Sequence, residues 1–371
     1  MPGNDLIYQI ALTMIPDVGP ILAKKLIDYI GSPEAIFREK PYNIRKIPGI
    51  GNKLAQQITA RNYLADAEKE IQRMQKHRIS HVHYKDSSYP WRLKHCEDSP
   101  LLLYYRGNPS FGSKKMISIV GTRKATVYGR DLCRDIIKKL SENHPEMVVV
   151  SGLAYGIDII AHRAALEFGI DTFAVLAHGL HTIYPSSHSQ TARDIISQGA
   201  LMSDFPTSML AEKNNFLRRN RIIAGLSEAT LVVESGDKGG ALITADLAAS
   251  YNREVFAIPG KVKDSFSKGC NTLIKNNVAG LVESAEDIEQ MLDWKKERKA
   301  PPPKKTSTIS LSTEEKKVLD TIEKEPEIGQ EVLSGHTGIP LSKLMGIMLQ
   351  LEMQDLINVL PGNRYCTKLT T

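Results

Sequence analysis

The sequence predicts an α/β protein whose centre is an extended Rossmann-like domain with a doubly wound parallel sheet. Two observations predict this fold class. Short apolar runs alternate with helical stretches between residues 115 and 292, as in parallel sheets that are covered by helices. Almost every apolar run also ends in a glycine-rich or small-residue turn. The predicted buried strands are residues 117–120, 147–150, 173–176, 231–233 and 255–258.

The predicted domains are a helical module at residues 1–80, the Rossmann-like domain at 81–293, a charged proline-rich linker at 294–310 and a winged helix at 311–371. The helical module contains two similar turns, at residues 15–20 and 47–52, each followed by a helix with a small residue on its inner face. This pattern resembles a tandem helix-hairpin-helix (SAM-like) unit. Arg45 and Lys53 are candidate contacts to a DNA backbone, whereas Asp17 in the first turn would repel phosphate. The alternative is a packing module without a ligand.

The last segment is predicted to form a helix, a turn region at residues 335–340 and a second helix at about 341–354, followed by two short strands. It carries nine acidic and six basic side chains, a net charge of −3. The second helix has only Lys343 as a cation, and base readout requires polar side chains on the exposed face. We therefore expect a protein-contact or regulatory role here rather than DNA reading.

Composition excludes several classes of protein. The 371 residues carry a net charge of +6, so a site for a polyanion must come from local clustering. The four cysteines are far apart and form no CxxC, which predicts reduced thiols and neither a disulfide framework nor a metal site. No signal pattern and no apolar run of about 18 residues is present. We expect a cytoplasmic protein that has no membrane contact and no cofactor.

The strongest indication of function is a cationic segment, KNNFLRRNR, at residues 213–221. It combines cations, which hold phosphates, with one aromatic ring, which stacks on a base. The carboxyl ends of parallel strands line the ligand crevice of an open sheet, and the glycine-rich turns belong there. We therefore predict one anion-binding surface from the turns and this segment. Its candidate nucleic-acid contacts are Gly121, Thr122, Arg123, Ser151, Gly152, Lys213, Phe216, Arg218, Arg219, Asn220, Arg221, Gly239 and Gly240.

A nucleotide-binding Rossmann-like enzyme, such as a nucleotide N-glycosidic hydrolase, is the alternative. Its candidate catalytic groups are Asp158, His162, His178 and Glu234, with Asp158 and His162 spaced to pair on a helix. The first turn, however, has Arg123 where a dinucleotide fingerprint requires a glycine. No pair of these groups is a convincing acid–base couple, so we predict no catalytic residue and a binding protein rather than an enzyme.

Six short motifs recur through the central domain: VGTR at 120–123, SGLAYGID at 151–158, YP at 184–185, FLRRNRIIA at 216–224, TA at 244–245 and PG at 259–260. Together they resemble the DNA-processing protein A family (DprA, also called Smf), and the two flanking modules extend the resemblance to nearly the whole chain. The chain departs from the family at residues 239–242, which are Gly-Gly-Ala-Leu where the family commonly has Ser-Gly-Ser-Leu.

The resemblance implies a bacterial cytoplasmic protein that binds and protects single-stranded DNA. It further implies loading of the RecA recombinase during DNA uptake, natural transformation and recombination. The implied partners are single-stranded DNA, RecA, single-strand binding protein and a second copy of the chain in a homodimer. The family's DNA contacts fall on Arg123, Lys213 and Phe216 of this sequence.

Overall fold

The computed structural model describes residues 3–60, 62–113, 115–294, 311–353, 356–360 and 362–367. The chain divides into two compact units, with the boundary after residue 297. Except for Trp294, the predicted linker at 294–310 lies outside the described residues.

The first unit begins with the predicted helices, and the two turns between them are built alike. In the first turn the Val18 N–H donates to the Ile15 carbonyl at 3.2 Å, and in the second the Ile50 N–H donates to Ile47 at 3.1 Å. Ala23 and Ala55 each lie on the buried face of the helix that follows their turn. The prediction of tandem helical hairpins is therefore confirmed. The helices are α1 Gly3–Met14, α2 Pro20–Ile30, α3 Pro33–Arg38, α4 Pro41–Ile44, α5 Asn52–Thr59 and α6 Asn62–Lys76.

The rest of the first unit is built on a nine-stranded sheet with helices on both faces. Its strands are β1 Ser80–His83, β2 Leu102–Gly107, β3 Met116–Val120, β4 Val148–Ser151, β5 Asp171–Val175, β6 Gly199–Ser203, β7 Ala229–Val232, β8 Glu254–Ala257 and β9 Gly280–Leu281. Its helices are α7 Trp91–Lys94, α8 Val127–Asn143, α9 Ile157–Glu167, α10 Ser189–Gln198, α11 Lys213–Leu226, α12 Gly240–Ser250, α13 Lys268–Lys275 and α14 Ala285–Met291.

The strand order is β1-β2-β6-β5-β4-β3-β7-β8-β9, which confirms a doubly wound sheet. From β6 to β9 all neighbouring strands are parallel, whereas β2 pairs antiparallel with both β1 and β6. The chain moves outward from β3 to β6 and then returns through α11 to place β7 on the other side of β3. The order therefore reverses between β3 and β7, which is where such sheets bind ligands.

Four strands of the sheet, β1, β2, β6 and β9, were not among the predicted buried strands. β6 (GALMS) has no β-branched residue, so its sequence lacks the usual strand signal. β1 and β2 pair antiparallel at one edge of the sheet, outside the strand–helix alternation on which the prediction rests. β9 has only two residues.

The second unit is a winged helix with its own core, which includes Val318, Leu333 and Leu351. One prediction needs correction here: residues 335–340 are not all turn, since a helix continues to Thr337 and ends at Gly338 with φ of 67°. The elements are α15 Thr313–Lys324, β10 Ile328–Gly329, α16 Gln330–Thr337, α17 Leu341–Met353, β11 Ile357–Leu360 and β12 Arg364–Thr367. In the described part of the chain, no helix combines the length and the apolar character that a membrane crossing requires.

Two glycine substitutions in the second hairpin turn test its backbone geometry. Gly49 has φ of 94°, whereas Gly51 has φ of −86° and caps α5, and a Cβ at either position meets nothing within 4 Å. Gly49→Ser should lower the free energy of unfolding by about 1–2 kcal/mol, since L-residues avoid positive φ. Gly51→Ser should leave it unchanged or raise it, because serine is a favoured N-cap. Urea denaturation measures both, and equal losses would contradict the turn geometry.

Candidate nucleic-acid interface

A cleft of about 620 Å³ opens at the point where the strand order reverses. The turn after β3 forms one wall, the loop between β7 and α12 forms the other, and α11 runs alongside. The lining residues are Val120, Gly121, Thr122, Arg123, Ala154, Asp158, Tyr184, Ala211, Lys213, Phe216, Leu217, Arg219, Asn220, Ile223, Ser235, Gly236, Gly239, Gly240, Ala241 and Thr244.

Helix α11 presents one face of the cationic segment to the cleft. Lys213, Phe216, Asn220 and Ile223 follow one another at intervals of three or four residues, which places them on the same side of a helix. Lys213 is exposed at the helix start and Phe216 is half-buried. The same cleft wall therefore offers a cation for phosphate and an aromatic ring for a base.

The Phe216 ring is the centre of a cluster that we call the Phe216 cluster: Phe216, Arg123, Arg219 and Tyr184. The Arg123 guanidinium lies 5.3 Å from the ring centroid and that of Arg219 lies 5.8 Å away, both within range of a cation–π interaction. The Tyr184 ring meets Phe216 edge-to-face at 6.0 Å, and Tyr184 is 52% exposed. Two rings, one exposed guanidinium group and one buried guanidinium group thus meet in the lining of the cleft.

Arg219 supports this cluster from inside the protein. Its guanidinium is buried and donates to the carbonyl of Gly152 at 2.7 Å and to the carbonyl of Val175. Burial lowers the pKa of Arg219 to about 10, a change that the nearby Asp158 opposes, so the group stays charged at neutral pH. Because a buried cation needs its partners, these bonds fix α11 against the carboxyl ends of β4 and β5.

Asp158 is the acidic group on the floor of the cleft. Burial raises the pKa of its carboxyl group, and the positive charge of Arg219 opposes that rise. The carboxylate also accepts a long hydrogen bond of 3.4 Å from the Ala154 N–H. The Asp158 carboxylate therefore stabilises the positive charge of Arg219 and holds the β4–α9 turn.

The turn after β3 is held by Glu234. The Thr122 N–H donates to the Glu234 carbonyl at 2.7 Å, and the Thr122 hydroxyl accepts from the Lys124 N–H at 3.2 Å. The Glu234 carboxylate accepts from the N–H and hydroxyl of Thr126 at 2.9 and 2.5 Å. The Thr122 amide is therefore already paired, and Thr122 lines the cleft beside Gly121 and the exposed Arg123.

Ser151 and Gly152 support the cleft from behind and do not line it. The Ser151 side chain is fully buried and its hydroxyl donates to the Ile119 carbonyl at 2.6 Å. A Cβ on Gly152 would lie 2.5 Å from the Arg219 guanidinium, so this position needs a glycine for close packing. Both residues therefore hold Arg219 and β3 in place, and neither reaches the solvent side of the cleft.

Arg218 and Arg221 were predicted to share one anion-binding surface with the glycine-rich turns, but the structure places both outside the cleft. Arg221 is buried, pairs with the Asp204 carboxylate and donates to the Asp98 carbonyl. Arg218 is exposed, with its guanidinium 5.2 Å from the Phe205 ring centroid. The helical period places these two arginines away from Phe216, and Arg221 contributes to internal packing.

The loop before α12 forms the opposite wall. Gly239 and Gly240 line the cleft, and a Cβ on Gly240 would meet nothing within 4 Å. The amide of Asn220 donates to the Gly240 carbonyl at 3.4 Å, which links α11 to the start of α12. Ala241, where the family commonly has serine, lines the cleft with a methyl group and supplies no hydroxyl.

The candidate catalytic groups of the alternative function do not form an acid–base couple. His162 is fully buried, its Nδ1 lies 2.7 Å from the Thr172 hydroxyl, and burial lowers its pKa to about 3. His178 is also buried, with Nδ1 at 2.9 Å from the Gly179 carbonyl, and burial lowers its pKa. Glu234 is committed to the turn after β3, so only Asp158 reaches the cleft.

Sequence reasoning did not single out two exposed tyrosines: Tyr184, which lines the cleft, and Tyr155, which lies outside it. Tyr155 is 49% exposed on the β4–α9 turn, where its ring meets His188 at 4.9 Å and its hydroxyl lies 3.2 Å from that of Ser187. Both tyrosines are far from residues 213–221 in sequence, and only the fold brings Tyr184 to Phe216. An exposed aromatic residue beside a glycine or proline in a strand-end turn is the signal that would have found them.

Arg45 and Lys53 do not line the cleft. Both are exposed beside the second hairpin turn, where Arg45 donates to the Asn52 side chain at 3.0 Å and lies 5.4 Å from the Tyr42 ring. A backbone contact there would be a separate surface.

Helix α17 of the winged helix has an apolar exposed face. Leu341, Met345 and Leu349 are 42%, 58% and 59% exposed at four-residue intervals. Lys343 pairs with Glu314 at 2.6 Å. This apolar stripe offers no hydrogen-bonding group to base edges, and the exposed Gln350 lies beside it.

Comparison with known proteins identifies relatives over the whole chain. The model of the DNA recombination-mediator protein A family matches residues 80–293. Models of a SAM-like helix-hairpin-helix tandem and of the DprA winged helix domain match residues 10–61 and 301–363. Protein Smf of Synechocystis sp. is 30% identical over 98% of this chain and 99% of its own length.

Two solved structures extend the comparison to the fold. DNA processing protein A from Streptococcus pneumoniae covers 76% of this chain and 96% of its own, with 32% identity and a TM-score of 0.65. The Helicobacter pylori protein, whose structure is described as giving its single-stranded DNA binding mode, covers 58% of this chain and 95% of its own. Its identity is 26% and its TM-score is 0.52.

Substitution of two arginines on α11 tests which cations of the segment at residues 213–221 serve internal packing and which are exposed. Arg221→Ala should lower the free energy of unfolding by roughly 3–5 kcal/mol, because it leaves the Asp204 carboxylate buried without its partner. Arg218→Ala should cost no more than about 1 kcal/mol, since it loses one exposed cation–π contact. Chemical denaturation of both variants measures this, and similar small losses would contradict the assignment of Arg221 to packing.

Proposed function

The chain belongs to the DNA recombination-mediator protein A family, and on this premise we propose that it binds single-stranded DNA in the cleft between β3 and β7. The observation that carries the proposal is the Phe216 cluster, in which an accessible aromatic ring lies beside the Arg123 guanidinium at the cleft mouth. A ring and a cation at one place suit a base and its phosphate.

The cluster favours a single strand over a duplex for a steric reason. In a duplex the faces of each base are covered by its neighbours, whereas an unpaired base exposes a face that Phe216 or Tyr184 can stack on. Each such stacked base contributes about 1–3 kcal/mol of binding free energy. The recessed position of the half-buried Phe216 ring supports this preference.

The contacts that we assign to the strand carry little sequence information. Arg123 and Lys213 are positioned for phosphates, and the first turn of α12 adds backbone groups at Gly240. Stacking and phosphate contacts are available to every base, so we propose binding that is largely independent of sequence and steeply dependent on salt.

We further propose that the bound strand is protected and passed to the RecA recombinase during DNA uptake, natural transformation and recombination in the cytoplasm. The family description as a recombination mediator supports this step. In the same proposal the chain acts as a homodimer, with single-strand binding protein as a further partner. The proposed transfer to RecA is tested by measuring whether the protein accelerates RecA filament formation on DNA coated with single-strand binding protein.

The central prediction concerns affinity for an unstructured oligonucleotide, measured by fluorescence anisotropy beside the matching duplex. Phe216→Ala should weaken single-strand binding by about 1–3 kcal/mol through lost stacking. Lys213→Gln should reduce the slope of log affinity against log salt by about 0.7, the effect of one lost phosphate contact. Tyr29→Ala and Lys275→Gln are matched controls, because both side chains are exposed outside the cleft.

Wild-type affinity in Phe216→Ala and Lys213→Gln, with thermal melting showing that both are folded, would overturn the site. Equal affinity of the wild-type protein for duplex and single strand would overturn the preference for unpaired bases.

The winged helix gives a second functional prediction. Deleting residues 306–371 should change single-strand affinity by less than about threefold, because α17 exposes an apolar stripe of Leu341, Met345 and Leu349 and its cation Lys343 is paired with Glu314. The same anisotropy titration measures this. A loss of most of the affinity would show that this unit binds DNA.

A further inference from the structure

A second basic surface lies beside the cleft and is not part of the proposed site. It is a groove of about 600 Å³ between α8 and α9, and we call it the α8–α9 groove. Its floor is formed by apolar residues that include Ile159 and Ile160. Arg123 lines both the groove and the cleft, so the two surfaces meet at this residue.

Cations dominate the lining of this groove. Five basic side chains line it, at Arg123, Lys124, Arg130, Arg134 and Arg163, against one acid, Glu167. Glu167 is occupied by Arg134, which donates to its two carboxylate oxygens at 3.1 and 2.5 Å. Of the described acidic residues, none forms an ion pair with the other four cations. A local excess of this size on a chain with a net charge of only +6 indicates a polyanion ligand.

The groove also has an aromatic residue at the end where it meets the cleft. Tyr155 lines it, and the contacts of its ring with His188 and of its hydroxyl with Ser187 hold the side chain in place. Arg163 donates only a long hydrogen bond of 3.4 Å to the Thr191 hydroxyl. A fixed, exposed ring next to arginines that have no carboxylate partner among the described residues is the arrangement that single-strand binders use repeatedly along their path. An acidic peptide would use the cations but has no need of the ring or of continuity with the cleft.

We propose that a single strand bound in the cleft continues past Arg123 and Tyr155 into the α8–α9 groove, where Arg130 and Arg163 hold its backbone phosphates. This inference rests on the proposed function and adds a second segment to the binding path. The cleft and the groove then act in series, so short strands fill the cleft alone and longer strands occupy both.

The dependence of affinity on strand length tests this proposal. In the full-length protein, Arg130→Gln combined with Arg163→Gln should leave the affinity for the shortest bound oligothymidylate unchanged. For long oligothymidylates it should lower affinity about tenfold and reduce the salt slope by about 1.4, twice the effect of one phosphate contact. The matched control is Lys139→Gln, an exposed lysine on α8 that does not line the groove.

The outcomes separate this proposal from the one on which it rests. If the double variant equals Lys139→Gln at every length while Phe216→Ala still weakens binding, the groove is not part of the path and the cleft remains the site. If the double variant loses affinity equally at all lengths, the arginines act on the cleft itself and the extended path is wrong. If the wild-type protein binds no oligothymidylate, the proposed function fails and this inference fails with it. Polyglutamate that binds the groove without competing with long strands would also overturn the proposal, in favour of an acidic protein partner.

Discussion

The geometry of the cleft depends on the buried guanidinium of Arg219. Its hydrogen bonds to the carbonyls of Gly152 and Val175 join α11 to the ends of two parallel strands. A rotation of α11 by one residue would turn its side chains by about 100° and leave a buried charge without partners, which is costly. Arg219 thereby fixes the direction in which Phe216 and Lys213 point, although we assign it no contact with DNA.

The sequence alone was sufficient for the overall architecture, because apolar runs and glycine turns depend on local chemistry. It also singled out Arg123, Lys213 and Phe216, which the structure brings together in the lining of one cleft, and their contact with DNA stays a prediction. It did not resolve the arginine run, because the helical period divides Arg219, Arg221 and Arg218 between the cleft, the interior and another face of α11. Tyr184 was missed because only the fold brings it from a distant turn to Phe216.

The surfaces that we assign to DNA suit a protein that must hold a strand and also release it. The cations at the cleft mouth and in the α8–α9 groove are mostly exposed, so each contact is individually weak and is screened by salt. Affinity then comes from several contacts in series and falls as a competitor displaces them one at a time. The apolar face of α17 has a different chemistry, which agrees with a separate role for the winged helix.

Photochemical cross-linking of a single strand that carries iodouracil would test the central claim most directly, because this base reacts with aromatic side chains that it stacks on. Peptide mapping should find the adducts at Phe216 and Tyr184, with the yield suppressed by unlabelled single strands and little affected by duplex. Adducts confined to residues 311–371 or to the helical hairpins would contradict the account and move the binding site to another part of the chain.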